Sequence, residues 1–351
     1  MRIASVEVVP YALPFREPYV TAAGSLTRRE MVLLRVHSED GLVGLGEAVP
    51  LSLRGGTALG TVIAELEQLG DRESLDEPTL RSDVPTLSAP ARCAALTALL
   101  DLRGKRAAAE GGVSAGPSPP VRCNATLTAG DPAMVVSAAE SWAADGFSTF
   151  KLKLGTGDDA AQVRAVRESL GPRARIRVDA NGAWDVETAK RTLGELEPYE
   201  IELVEQPVGT LEEAMEVARS TSIPLAGDES IESRADAERA VAMEACRMTG
   251  VKLSKVGGPE SAVEIAGVLP AYLSSALDGP VGIAAAAQVA TTLDVPPGGG
   301  PDLAHGLATQ RLFASTIATV ECRLEGDMLH LPEGPGLGVE IDEAALQAHR
   351  L

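Results

Sequence analysis

Through the middle of the chain one pattern of hydrophobic and polar positions repeats. A short apolar run ends on a charged residue, and a stretch with helical periodicity follows. The runs are FKLK ending at Lys153, RIRVD at Asp179, IELVE at Glu205, IPLAGD at Asp228 and TGVK at Lys252, with successive gaps of 26, 26, 23 and 24 residues. DDAAQVRAVRESL (158–170) and DVETAKRTLGELE (185–197) are clear helical intervals. A strand and a helix repeated at this length form a β/α barrel, whose strand ends converge on one mouth. Charged side chains at the inner ends of strands are costly to bury, so five in register point to chemistry rather than packing.

The same reading places barrel strands near 121–126, 149–154, 175–179, 201–205, 223–227, 249–253, 270–275 and 302–305. This is a compact barrel with room for only a degenerate last helix. Ahead of it, ASVEVVPYAL, MVLLRVHS and GLVGLGEAVP alternate like strands of an antiparallel meander, with EDG (39–41) as a hairpin turn. Residues 57–70 and 88–109 have helical periodicity, and GGVSAGPSPP (111–120) reads as a linker. After the barrel, ECRLEGDMLHLP and GPGLGVEID are strand-like and expected to fold back onto the first part. The expected fold class is α/β, a modified TIM (β/α) barrel with an N-terminal α+β capping domain. The expected boundaries are 1–118 for the cap, 119–317 for the barrel and 318–351 for the returning segment.

At 351 residues the chain accommodates both parts, and 45% hydrophobic residues with 3% aromatics describe an aliphatic core. A formal net charge of −19 argues against nucleic acid and anionic membranes as partners. The four cysteines, Cys93, Cys123, Cys246 and Cys322, show no C-x-x-C spacing and read as reduced thiols. No signal peptide or bilayer-spanning run is legible, so a cytoplasmic protein is expected, and a homo-oligomer stays open.

Asp179, Glu205 and Asp228 come from successive strand ends. Singly, each is well explained as an ion pair or a helix cap. Together they offer hard oxygen ligands over an arc, with room for water and a substrate carboxylate, as octahedral Mg²⁺ requires. Lys153 and Lys252 flank that arc and are placed to act as acid and base on two faces of one carbon. Lys151 and Lys255 read as partners of neighbouring carboxylates; Arg28 and Arg29, after the YVTAAGSL loop (19–26), are readable as a lid over the site but more readily as solvated surface.

KLKLG (151–155), VDANGAW (178–184), VEQP (204–207), GDES (227–230) and KLSKVGG (252–258), with GLGEAVP (44–50) ahead of them, resemble the enolase superfamily and its muconate-lactonising-enzyme subgroup. The resemblance covers essentially the whole chain. It implies Lys153 as the acid/base, Lys252 on the opposite face, and Asp179, Glu205 and Asp228 as ligands of Mg²⁺, with Mn²⁺ as a substitute. It also implies Asn181 and Gln206, with Lys151, as supports of those ligands. A His base on the seventh strand marks another branch. The histidines here (His37, His305, His330, His349) avoid the sixth and seventh strand regions.

Strands seven and eight decide the fate of the intermediate in such a barrel. YLSSALDGPVGIAAAA (272–287) and DLAHGLATQRLF (302–313) are similar to o-succinylbenzoate synthases, and 302–309 lacks the D-x-D that usually holds the ammonium in dipeptide epimerases. The resemblance implies Mg²⁺-dependent syn-dehydration of a cyclohexadiene carboxylate through an ene-diolate, in menaquinone biosynthesis. Ser274, Ser275 and Gly282 are candidate contacts to a second substrate carboxylate, although capping and tight packing explain them as well. His305, in HGLAT, is a further candidate. Dipeptide epimerase, N-acylamino acid racemase and muconate cycloisomerase chemistry remain alternatives. A non-catalytic binding barrel is the alternative of another class.

Overall fold

The computed structural model describes residues 1–21, 24–51, 56–70, 75–111, 118–155, 158–293 and 303–351. Parts of the loops at 19–26 and 51–56, most of the 111–120 stretch and Asp302 lie outside the described residues.

The N-terminal part is built on two long antiparallel strands, β1 (Arg2–Thr21) and β2 (Gly24–Ser38). β3 (Val43–Ala48) and β4 (Leu75–Asp76) complete a sheet of order β3-β2-β1-β4. In the predicted turn, Gly41 takes φ +86°, a conformation suited to glycine. Helices α1 (Leu59–Gly70), α2 (Glu77–Asp83) and α3 (Ala89–Ala109) follow. Val32, Leu34 and Val36 are buried with Val62, Leu66, Ala94 and Ala98 of α1 and α3. α3 lies on β3 at backbone distance: a Cβ at Gly44 would sit 2.2 Å from Ala98 O, and one at Gly46 2.0 Å from Ala94 O. The glycines of GLGEA are therefore packing residues. Tyr11, Leu13, Phe15, Met31 and Leu33 join the barrel in one continuous core.

The first predicted barrel strand is divided. β5 (Val121–Arg122) pairs with a C-terminal hairpin, and the barrel takes up the chain from Cys123 onward. β6 (Ala125–Leu127), β7 (Thr149–Lys153), β8 (Arg175–Asp179), β9 (Ile201–Glu205), β10 (Leu225–Gly227), β11 (Met248–Val251) and β12 (Ala271–Leu273) form a seven-stranded parallel sheet in sequence order. His305 and Gly306 take the eighth position, bridging Cys123 on one side and Ser274 on the other. His305 N donates to Arg122 O at 2.7 Å, and Gly306 N to Leu273 O at 2.8 Å. A single 3₁₀ turn, Ala308–Leu312, follows this eighth position.

The helices between strands are α4 (Pro132–Ala144), α5 (Asp159–Leu170), α6 (Val186–Leu196), α7 (Leu211–Ala218), α8 (Arg234–Ala242), α9 (Leu253–Val256), α10 (Pro259–Ala266) and α11 (Pro280–Ala290). Their starts follow from local chemistry. Asp131, Asp158, Asp185 and Ser233 each accept a first-turn N–H, and Thr210 with Glu213 forms a reciprocal capping box. Caps of this kind contribute about 1 kcal/mol each.

β13 (Ala318–Val320) pairs with β16 (Glu340–Ile341), and the hairpin β14 (Arg323–Glu325)–β15 (Met328–His330) pairs with β5. Around α12 (Glu343–His349) the chain returns to the first sheet: Leu351 N donates to Pro10 O at 3.0 Å and Glu343 pairs with Arg35 at 2.5 Å. The four cysteines are buried and unbridged. Among the described residues no helix is long and apolar enough to cross a membrane.

Candidate active site

Strand register gathers the charged residues. Lys153 lies opposite Asp179, Asp179 opposite Glu205, and Ala226, two residues before Asp228, opposite Glu205. Lys252 follows β11 directly. Parallel strands with a side-chain period of two thus bring five distant residues to one rim. All five are buried, and the three carboxylates have no exposed surface.

Their contacts alternate in charge. Lys151 Nζ bridges Asp179 Oδ2 at 2.8 Å and Glu205 Oε1 at 2.6 Å. Lys153 Nζ lies 2.5 Å from Asp179 Oδ2 and donates to Asn181 Oδ1 at 3.0 Å. Across the rim, Lys252 pairs with Asp228 Oδ2, and Lys255 Nζ lies 2.8 Å from Asp228 Oδ1. Burial works against the ionised form of Asp179, but Lys151, Lys153 and Lys252 outweigh it and hold the carboxyl below its usual range. Glu205 goes the other way: burial raises it and Lys151 offsets only part of the rise. Burial lowers Lys255 despite Asp228, whereas Lys151 is raised because Asp179, Glu205 and Asp228 together overcome its burial.

Gln206 and Asn181, implied as supports, hydrogen-bond at this rim. Gln206 Oε1 accepts from Asp228 N at 2.8 Å and from Ser230 N and Oγ, while its Nε2 donates to Val208 O at 2.7 Å. Asn181 donates its backbone N–H to Asp179 Oδ1 at 2.9 Å. Both residues have positive φ, +39° at Gln206 and +51° at Asn181, a conformation that surrounding hydrogen bonds must maintain.

Among the described residues no three His, Cys, Asp or Glu side chains are grouped closely enough to hold a metal ion. Ammonium groups take up the carboxylate oxygens here. The donor set itself fits a hard divalent cation: three buried carboxylates from adjacent strands, with the Lys151 ammonium lodged between two of them.

A cavity of about 350 Å³ opens over this rim. Lys151, Lys153, Lys252, Lys255, Arg29, Glu229 and Glu232 line it, and Tyr19, Leu51, Ala276 and Leu277 supply apolar wall. A larger groove of about 1820 Å³ runs between α3, α11 and the C-terminal strands, away from the lysines. Ser274 and Ser275 line the smaller cavity, whereas Gly282 and His305 do not. Gly282 is a close-approach residue, because a Cβ there would lie 2.8 Å from Glu47 Oε1. His305 is taken up by barrel closure, its Nδ1 accepting from Leu273 N at 2.9 Å.

Arg29 corrects the reading of solvated surface: it is 5% exposed, donates to Pro50 O at 2.6 Å and lines the cavity. Arg28, its exposed neighbour, pairs with Glu30. Sequence reasoning also missed Tyr272, whose hydroxyl donates to Glu205 Oε2 and whose ring lies 5.1 Å from the buried Arg177 guanidinium. Its position, two residues before Ser274 on the same face of one strand, was the available signal.

Two family models match the chain: the enolase C-terminal domain-like family over residues 133–345, and the N-terminal domain of mandelate racemase / muconate lactonizing enzyme over residues 3–110. The chain belongs to the enolase superfamily, in its muconate-lactonising subgroup. Within that superfamily it is 39% identical over 242 residues to an o-succinylbenzoate synthase of Thermobifida fusca (strain YX), covering 65% of this chain and 73% of the relative. It is similar to the structure of a muconate lactonizing enzyme from Pseudomonas fluorescens complexed with muconolactone, with TM-score 0.88, 27% identity and 99% of each chain covered. A dipeptide epimerase from Enterococcus faecalis V583, complexed with Mg and the dipeptide L-Leu-L-Tyr, matches with TM-score 0.85 and 26% identity over 97% of this chain and 100% of that one. Superfamily membership thus brings relatives of three different activities to one scaffold.

Proposed function

We propose that this superfamily member is an o-succinylbenzoate synthase, removing water from a cyclohexadiene carboxylate in menaquinone biosynthesis. The observation that carries the reading is the 39% identity to the synthase of Thermobifida fusca. The cavity supports it. Arg29 on the cavity wall offers a cation to an anionic group, and Leu51 and Leu277 offer apolar surface to a ring. The stretch 302–309 has one Asp at its start and no D-x-D to hold an ammonium.

In this reading Asp179, Glu205 and Asp228 hold Mg²⁺, with Mn²⁺ as a substitute, and Gln206, Asn181 and Lys151 keep those carboxylates in place. When bound, the cation would supply positive charge that favours loss of the proton next to a carboxylate. Lys153, as the neutral amine, takes that proton and returns it to the departing hydroxyl on the same face, so one water is lost and the lysine is restored. Lys252 stays protonated on the other face and stabilises the developing negative charge. Ser274 presents its hydroxyl to the remainder of the substrate, and Ser275, whose hydroxyl is engaged by Asp278, lines the wall. The same reading assigns 1–118 to a capping domain, 119–317 to the barrel and 318–351 to a returning segment, in a cytoplasmic enzyme acting on a small carboxylate.

The test is conversion of the cyclohexadiene precursor with Mg²⁺ beside an EDTA-treated control. Metal-dependent product at about 1 s⁻¹ or faster, within the ordinary enzyme range, is expected. Epimerase chemistry is the second reading, because Lys153 and Lys252 both reach the cavity. Deuterium wash-in at the α-carbon of a dipeptide, without dehydration of the precursor, would replace the first reading with the second.

A further inference from the structure

The cavity wall after strand seven is an unusual turn. Ser275 Oγ and Ala276 N both donate to Asp278 Oδ2, at 2.8 and 2.7 Å, and Asp278 N donates back to Ser275 Oγ at 2.8 Å. Between them Leu277 has φ +67°, in the left-handed region, and lines the cavity. A non-glycine residue stays there only when its surroundings over-determine it. At its start the turn is held by Ser274 N to Val251 O at 2.8 Å and Ser275 N to Gly306 O at 3.0 Å.

Its far end runs into α11, which starts without a side-chain cap: Gly279 occupies the cap position and supplies no acceptor. The acceptor comes from the other sheet. Glu47, in β3, takes the Gly279 N–H on Oε1 at 2.6 Å and the Tyr11 hydroxyl on Oε2 at 2.8 Å. Glycines at 279 and 282 permit the approach, since a Cβ at either would lie 2.8 Å from a Glu47 oxygen. An oxygen acceptor there satisfies one of the orphan N–H groups that a helix start leaves. Glu47 is 1% exposed and Tyr11 fully buried, so the link is shielded from water.

We propose that Glu47 is a positioning residue for substrate binding: from the N-terminal sheet it fixes the start of α11 and thereby the Ser274–Leu277 wall of the cavity. The hydrogen bonds of Glu47 go to Tyr11 and Gly279 and not to Asp179, Glu205 or Asp228, which separates its effect from theirs. The inference takes from the proposed function only that the cavity receives the substrate.

The experiment compares Glu47→Ala, Glu47→Gln and the unaltered protein by backbone hydrogen exchange and by steady-state kinetics on the cyclohexadiene precursor with Mg²⁺. Glu47→Ala is expected to speed exchange about tenfold or more at Ala276 and Gly279, while Asp228 and Ser230, held by Gln206, keep their protection. KM is expected to rise about tenfold with kcat within about twofold, the mark of lost substrate binding rather than lost chemistry. Glu47→Gln retains one carbonyl acceptor for Gly279 and is expected to restore most of both. Unchanged exchange at 276–279, uniform loss of protection along the chain, or a fall in kcat at constant KM would each overturn the proposal. If the unaltered protein does not turn over the precursor, the synthase reading falls, and the exchange pattern alone then decides the role of Glu47.

Discussion

At the scale of single residues, the candidate site is a set of charges taken out of water together. An isolated ionised carboxylate in this interior would be strongly disfavoured, and burial indeed pushes Glu205 upward. Asp179 escapes that fate because Lys151 and Lys153 share its Oδ2. Lys153 therefore sits within 2.5 Å of a proposed metal ligand without being required to hold it, since Asn181 N and Lys151 also contact Asp179. Lys153→Ala is expected to cut turnover by about 10²–10⁴-fold or more, the usual contribution of a positioned acid/base, while Mg²⁺ binding by calorimetry persists. Turnover retained at the level of the unaltered protein would remove Lys153 from the role of base.

Elements are fixed by caps at their starts and by backbone contacts along their lengths. The closest such contact is α3 on β3, where Gly46 faces Ala94 O. Gly46→Ala has no flexible neighbour to displace, because the nearest atom belongs to helix backbone. It is expected to cost about 1–3 kcal/mol, as overpacking does, read as a lower denaturant midpoint at unchanged slope. Its neighbour Glu47 would be dragged with it, so KM should rise as well; a neutral substitution would show that α3 and β3 can separate freely. The division of the first barrel strand is an element-scale effect too. Val121–Arg122 gains a partner in β15, and only Ala125–Leu127 joins β7, so one expected strand becomes two short ones.

For the whole molecule, the joint between the antiparallel sheet and the barrel holds two buried acids. Burial, then the nearby Asp278, pushes Glu47 from 4.5 up to about 8, and burial raises Asp278 as well. A carboxyl raised in the fold binds its proton more tightly than in the unfolded chain. Its contribution to stability is fully present below the unfolded value and is lost as pH climbs through the folded one. Thermal stability is therefore expected to decline between about pH 4.5 and pH 8 on account of Glu47, and Glu47→Gln should flatten that decline. Tyr11, Asp278, Glu321 and Cys93 surround the same joint and share its field. Identical pH profiles for the two proteins would show that Glu47 is ionised alike in both states.

Much of this was written along the chain. The repeat of apolar run, terminal charge and helical interval determined the β/α units, because a strand buried on both faces reads as a short, largely apolar run. The order of those units placed Lys153, Asp179, Glu205, Asp228 and Lys252 on one rim, since parallel strands in register leave little freedom. Tertiary structure alone decided the rest. Arg29 reads as surface beside Arg28, yet folding carries it into the cavity wall. His305 and Gly282 look like substrate contacts in sequence but are consumed by barrel closure and by the approach of Glu47. Glu47 and Gly279 are 232 residues apart, and nothing local in either segment records their pairing. Period and spacing report what a residue's own strand or helix requires, whereas the partner of a buried polar group is chosen by whichever element arrives against it.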